Sequence, residues 1–239
     1  MGVPYDTRTK MEVLDDLRVS GVEAYPNIHP YFLLGDITTK NGFSTRNGMI
    51  FPLGGISNKL MVQSNENGYW MMYTGDKYGF NNSKDVYQDN IVEILITGDS
   101  FAEGWSVKSE ENISGVLQEI GFNVVNIGKS GNGPLLELAT LKEYAEPLEP
   151  KIVLWTYFVN DLTDLNRELQ SSNLQMYLNE DDYSQDLISR QEEIDAVLIN
   201  YVQFELEKAK NKEKEKEYEL IINNRIIKIL KLHELRRMI

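Results

Sequence analysis

The stretch Ile91-Val92-Glu93-Ile94-Leu95-Ile96-Thr97-Gly98-Asp99-Ser100 decides the fold of this 239-residue chain. Its apolar run is typical of a strand that is buried on both faces, as in parallel sheets. In open α/β sheets the chemistry takes place just beyond the carboxyl ends of the strands. Ser100 is therefore a candidate nucleophile, next to backbone N–H groups that can bind an oxyanion. The alternative interpretation is that Asp99 and Ser100 only cap the next helix.

Strands and helices alternate along the chain from this stretch onward. The pattern predicts a strand over 91–97, a helix over 109–120, a strand over 123–127, a helix over 134–146 and a strand over 152–158. Apolar runs that are separated by helices of this length predict a parallel sheet covered on both faces. The sequence therefore predicts an α/β fold, with a three-layer, flavodoxin-like parallel sheet that is incomplete and has about three core strands.

The N-terminal part of the chain follows a different pattern. Residues 6–20 predict a short amphipathic helix. The runs 59–63 and 69–74 flank an Asn-Gly turn signal, which predicts a β-hairpin. Residues 1–88 are accordingly interpreted as an N-terminal elaboration with a hairpin, and residues 89–239 as the α/β domain.

A long helical segment is predicted over residues 186–239. Its apolar residues Ile222, Ile226, Ile229 and Leu230 repeat at helical spacing, so one face of the segment is apolar. We expect that face to pack against further strands of the sheet, and a helical interaction arm is the weaker alternative. The final residues carry no helix-stop signal, which predicts that the sequence is the front part of a longer protein.

Composition excludes several classes of function. The net charge of −13 opposes nonspecific binding of nucleic acid, which requires a basic surface. The chain has no cysteine and two histidines, so disulfides and Cys-built zinc sites are excluded and no metal or cofactor is expected. No apolar run is long enough to span a bilayer, and the first residues lack the apolar segment of a signal peptide. The oligomeric state stays open. The alternatives for the compartment are the cytoplasm and the bacterial periplasm or cell surface.

Two further loops follow strand ends of the predicted sheet. Asn126-Ile127-Gly128-Lys129-Ser130-Gly131-Asn132-Gly133 follows the second strand, and Phe158-Val159-Asn160-Asp161 follows the third. Adjacent parallel strands are expected to place both loops beside Gly98-Asp99-Ser100. Together the three loops hold a hydroxyl group, a glycine-rich turn with free N–H groups and an asparagine amide, which are the groups that acyl transfer requires.

These three blocks resemble those of the SGNH (GDSL-type) hydrolase superfamily. The family blocks are Gly-Asp-Ser, Asn-x-Gly-x-x-Gly and Gly-x-Asn-Asp, and Phe158 stands here in place of the last block's glycine. The resemblance implies a serine ester hydrolase or acyltransferase in which Ser100 is the nucleophile. It also implies an oxyanion hole formed by the backbone N–H groups of Ser100 and Gly131 and the side-chain amide of Asn160. Supporting roles fall to Asp99, Asn132 and Asp161.

The resemblance also indicates a substrate class and a missing group. Asn65-Glu66-Asn67-Gly68 and Tyr78-Gly79-Phe80-Asn81-Asn82 resemble segments of SGNH-like proteins of bacterial surface polysaccharide modification, which implies O-acetyl or other acyl esters of carbohydrates. The family's Asp-x-x-His block, which supplies the base, is absent, and His29 and His233 are predicted to be surface or capping residues. The alternative is therefore a non-catalytic glycan- or protein-binding module. The choice between hydrolase and transferase stays open.

Overall fold

The computed structural model of the chain describes residues 5–88 and 91–212. The chain divides into two units, Met1–Ile199 and Asn200–Ile239. In the first unit the helices are α1 (Lys10–Val19), α2 (Pro30–Gly35), α3 (Ser100–Glu103), α4 (Ile113–Glu119), α5 (Pro134–Tyr144), α6 (Asp161–Glu168) and α7 (Ser172–Asn179). The strands are β1 (Ala24–Pro26), β2 (Phe43–Thr45), β3 (Gly48–Ile50), β4 (Leu60–Val62), β5 (Met72–Thr74), β6 (Ile94–Thr97), β7 (Val124–Asn126) and β8 (Ile152–Trp155).

A parallel sheet of three strands, in the order β7-β6-β8, positions the candidate site. β6 pairs with both neighbours, and its end is aligned with theirs through Ile96 opposite Asn126 and Thr97 opposite Trp155. In chain order the three strands are arranged 2-1-3, the order with which flavodoxin-like sheets begin. The chain therefore has the predicted α/β fold with three parallel core strands.

Helices pack against the buried strands of this sheet. Ile94, Ile96 and Val124 form a cluster with Ala102 of α3, and Leu117 of α4 packs against it. Leu95 lies between Ile94 and Ile96, so its side chain points to the opposite face, and it is also fully buried. Helix α5 contacts β6. Burial of successive residues explains why this strand is a continuous apolar run.

Strand β8 is shorter and more exposed than predicted. It ends at Trp155 rather than at Phe158, and all four of its apolar residues are exposed. The exposed fraction is 57% for Ile152 and 45% for Trp155. Within the described ranges β8 pairs only with β6, so it forms an edge of the sheet. The expectation that this run is covered on both faces is wrong for the described residues.

The N-terminal hairpin is confirmed. β4 and β5 pair antiparallel, with Met61 opposite Tyr73, on either side of the Asn-Gly turn. The structure adds a parallel partner, β1, to the other edge of β4, and a second hairpin, β2 with β3. The predicted first helix is α1, which begins after a capping box formed by Thr9 and Glu12.

The long helical segment predicted over residues 186–239 is partly covered by the structure. Helices α6 and α7 occupy a stretch for which the sequence indicated only the end of the strand pattern. Of the long helical segment, residues 191–199 in the first unit and 200–212 in the second are helical. The apolar stripe at Ile222, Ile226, Ile229 and Leu230, and His233, lie outside the described residues. None of the helices within 5–88 and 91–212 is long and apolar enough to cross a membrane.

Candidate active site

Ser100 is the first residue of α3, directly after β6. Asp99 is the N-cap of this helix, and its carboxylate accepts the N–H of Phe101 at 2.9 Å. The capping interpretation is therefore correct for Asp99. Burial raises the pKa of the Asp99 carboxyl, while hydrogen bonds from the Phe101 N–H and the Ser100 hydroxyl oppose the rise. Gly98 has a φ of +150°, and a Cβ there would lie 1.9 Å from Thr156 Oγ1, so glycine is required.

The second loop is bound to the first. The N–H of Lys129 donates to the carbonyl of Gly98 at 3.1 Å. The side-chain amide of Asn126 donates to the carbonyl of Ala102 at 2.5 Å. A Cβ on Gly128 would lie 2.5 Å from the Ala102 Cβ. The first glycine of Asn-x-Gly-x-x-Gly is therefore explained by the close approach of this loop to α3.

The third loop contacts both of the others. The ring of Phe158 packs against that of Phe101, with centroids 4.7 Å apart. A Cβ on Gly133 would lie 2.9 Å from the Asp164 Cβ and 3.1 Å from the carbonyl oxygen of Asp161. The loops that follow β6, β7 and β8 therefore meet pairwise at one edge of the sheet.

The three candidate oxyanion donors differ in their hydrogen bonds. Within 5–88 and 91–212, no acceptor is bound to the backbone N–H of Ser100 or of Gly131. Gly131 has a φ of +76° and lies against the ring of Tyr31. The Asn160 side-chain amide instead donates to Asp164 Oδ2 at 3.0 Å. Two of the candidate donors are thus free of protein partners, and the third is bound to a carboxylate.

The supporting residues Asn132 and Asp161 are fully buried. Asp161 Oδ2 accepts the N–H of Phe158 at 2.7 Å, which closes the turn before α6. Asp161 Oδ1 and both polar side-chain atoms of Asn132 have no hydrogen-bond partner within the described part of the chain. Burial raises the pKa of the Asp161 carboxyl. Asp161 therefore stabilises the third loop from a buried position.

A buried ionic network, not predicted from the sequence, lies behind Ser100. Its centre is the fully buried carboxylate of Glu103, the last residue of α3. Glu103 accepts hydrogen bonds from the Ser130 N–H at 2.9 Å, from the Ser130 hydroxyl and from the Asn27 amide at 2.7 Å. Lys129 Nζ, also fully buried, lies 3.5 Å from the same carboxylate. Burial alone would raise the pKa of Glu103, but the neighbouring side chains of His29 and Lys129 and the hydrogen bond from Asn27 hold it well below its usual range.

His29 is part of this network, and its prediction as a surface residue is wrong. Its position is the N-cap of α2, but its side chain makes no capping hydrogen bond. It is 2% exposed, and Nε2 lies 3.3 Å from Glu103 Oε2. Its ring packs against those of Phe32 and Trp105. The side chain of this loop histidine points inward towards Glu103, which no local sequence signal indicates.

The motif Tyr78-Gly79-Phe80-Asn81-Asn82 forms hydrogen bonds with the segments that follow β6 and β7. The Asn82 side chain bonds both backbone groups of Asn126, at 2.7 Å to the carbonyl and 2.9 Å from the N–H. The Asn81 amide donates to the carbonyl of Glu103 at 3.0 Å. The motif that the sequence analysis associated with surface-polysaccharide proteins thus supports the first two loops.

Two further carboxyl groups lie near the second loop. Glu168 accepts the N–H groups of Gly133 at 2.6 Å and Leu135 at 2.9 Å, so it caps α5 from a neighbouring helix. Burial raises the pKa of Glu168 to about 7. Burial also raises the pKa of Glu137, in the first turn of α5, to about 8, against a hydrogen bond from the Trp155 indole. The helix predicted over 134–146 places Glu137 in its first turn. No sequence pattern indicates that Glu168 accepts N–H groups at the start of the same helix.

Comparisons of the chain with protein-family models, with curated proteins and with solved structures found no match. In the described part of the chain, no three histidine or acidic side chains are arranged to hold a metal ion.

Proposed function

We propose that Ser100 is the nucleophile of an acyl-ester hydrolase or acyltransferase. The observation that carries the proposal is the pairwise contact of the three loops around Ser100. The Ser100 Oγ attacks the ester carbonyl carbon, and the bond between that carbon and the alcohol oxygen then breaks. The serine proton passes through a base to the departing alcohol. Water or another hydroxyl group then takes the acyl group from Ser100.

The free N–H groups of Ser100 and Gly131 are the proposed donors to the developing oxyanion. One such donor contributes about 2.7–4 kcal/mol of transition-state stabilisation. Asn160 becomes the third donor if its amide exchanges Asp164 for the substrate oxygen. The substrate class follows from the motif resemblance, and we propose O-acetyl or other acyl esters of carbohydrates.

A specific observation favours a second candidate function. The buried His29 faces Glu103, with Nε2 3.3 Å from Oε2, and the sequence contains no Asp-x-x-His. A triad serine without its base retains only about 10³–10⁴-fold catalysis over water. The second candidate is therefore a glycan- or protein-binding module that uses the same loops without acyl transfer.

Acetyl transfer in the presence of an external base separates the two candidates. The chain is incubated with p-nitrophenyl acetate and imidazole, and the Ser100→Ala variant gives the background rate. The exposed Ser189, whose hydroxyl bonds to Asp186, provides the matched Ser189→Ala control. We expect nitrophenol release above background, and an acetyl adduct on the Ser100 peptide, for wild type and the control only. Equal rates for wild type and Ser100→Ala would overturn the catalytic proposal in favour of the binding module.

A further inference from the structure

We infer that the groove beside Ser100 binds an apolar group of the ester substrate and discriminates against groups with a negative charge. The inference rests on the proposed role of Ser100 and adds a substrate class to it. The groove has a volume of about 390 Å³, and Ser100 forms part of its lining. A group bound there therefore lies next to Ser100.

Apolar side chains form much of the lining. Phe101, Trp105, Val107 and Ile113 all face the groove. Phe101 is 59% exposed and Ile113 is 37% exposed. Both lie in the first turn of a short helix, α3 or α4, whose other residues pack against the sheet. An apolar group that covers these side chains gains about 25 cal/mol for each Å² removed from water. The lining therefore favours an alkyl or aryl group.

The groove is held in shape before any ligand binds. The Trp105 indole N–H donates to Glu66 Oε1 at 2.7 Å, and the ring also packs against His29. Asn112 caps α4 through the N–H of Gly115 at 2.7 Å. Gly104, with a φ of +81°, lets the chain turn between them, and a Cβ there would lie 2.6 Å from the Asn112 Cβ. A preformed groove loses little entropy on binding.

The charged residues that line the groove, among those the structure describes, are Glu66 and Glu111. No lysine or arginine of the described ranges lines it. Lys108 approaches Glu111 at 4.0 Å, but both side chains are more than half exposed, so water screens this pair. Asp99 lies next to Ser100 on the inner side. Two surface carboxylates of this kind weaken the binding of an anionic group by about five- to tenfold at low salt.

A neighbouring groove provides the control for charge. It has a volume of about 860 Å³, shares Glu111 with the first, and is lined by Asn81, Asn82, Ser109, Gln118 and further polar residues. Glu110 lines this second groove only. A Glu110→Gln substitution therefore changes the net charge by the same amount as Glu111→Gln without changing the lining beside Ser100.

The test uses phenylbutyramide and phenylbutyrate, which have the same shape and differ in charge. Binding is followed by the NMR signal of the Trp105 indole N–H, which is assigned with Trp105→Phe. We expect the amide to bind about five- to tenfold more tightly than the carboxylate at low salt. The ratio should fall towards one with added salt and in Glu111→Gln, and should stay unchanged in Glu110→Gln. Equal affinities at low salt, tighter binding of the carboxylate, or no shift of the Trp105 signal would overturn the inference.

Two variants keep this test separate from the test of catalysis. Ser189→Ala, which removes an exposed hydroxyl outside the groove, should bind phenylbutyramide as wild type does. Ile113→Asp, at an exposed position of the wall, should weaken binding of the amide by at least tenfold without unfolding the chain. If the chain binds phenylbutyramide with the expected charge discrimination but does not transfer acetyl groups, the result contradicts the proposed catalysis and leaves the groove inference intact. Acetyl transfer without charge discrimination contradicts the groove inference alone.

Discussion

Glu103 accepts the backbone N–H of Ser130 at 2.9 Å, so the last residue of α3 holds the residue before Gly131. Ser100 is the first residue of that same short helix. One fully buried carboxylate thus fixes the distance between the candidate nucleophile and the loop with a candidate oxyanion donor. The ion pair with Lys129 and the hydrogen bonds from Ser130 and Asn27 compensate the burial of its charge.

Replacing Glu103 with Gln should destabilise the fold and loosen the second loop. The variant leaves the buried Lys129 without its anionic partner, and breaking a buried pair costs about 3–5 kcal/mol. We expect a lower free energy of unfolding in urea and faster hydrogen exchange at Ser130, whose N–H donates to the Glu103 carboxylate.

Glu143→Gln is the matched control for Glu103→Gln. Glu143 is a buried carboxylate that accepts the N–H groups of Gln185 and Leu187, in another part of the fold. It should lower stability without changing exchange at Ser130 relative to other loops. If the two variants accelerate Ser130 exchange equally, Glu103 has no local role in positioning the loop.

Gly131→Ala should destabilise the chain more than Gly121→Ala does. Both glycines have positive φ, +76° and +100°, so both variants incur the left-handed strain of about 1–2 kcal/mol. Only at Gly131 would the new Cβ meet a side chain, 3.0 Å from Tyr31 Cγ, whereas nothing lies within 4 Å at Gly121. Thermal unfolding measures the difference. Equal losses would show that Tyr31 moves aside without cost.

The alternation of apolar runs was sufficient to predict β6, β7 and the loops that follow them, because each run is short and is bounded by glycine or polar residues. The extent of β8 was wrong because the run Ile152 to Phe158 is equally apolar whether its residues pair or turn. The buried network was missed for another reason. Glu103, Lys129 and His29 come together only through tertiary contacts, and a lysine or glutamate in isolation predicts a solvated surface.

The stability of the chain should fall as the pH rises from about 4.5 to about 8, in part through Glu137. Burial raises the pKa of Glu137 from 4.5 to about 8, so the folded state binds its proton more tightly than the unfolded state. This contribution is complete below the unfolded pKa and is lost as the pH rises through the folded value. Glu137→Gln imitates the protonated form and should remove a loss on the order of 2 kcal/mol across this interval. Urea denaturation at several pH values measures it, and parallel curves for variant and wild type would contradict the shift.

The exposed edge at β8 should make the isolated chain prone to self-association. Its residues donate to β6 through alternate N–H groups, as with Ile152 to the Glu93 carbonyl and Thr156 to the Thr97 carbonyl, so the N–H groups between them point to the free side. An exposed apolar strand with free backbone groups is a template for pairing with another chain. Val153→Lys places a charge on this edge and should lower light scattering at high protein concentration severalfold. The control is Val19→Lys, at an exposed position at the end of α1, which should change the scattering little. An equal decrease in both variants would show that a lysine at any exposed position lowers the association, so that the edge has no special role.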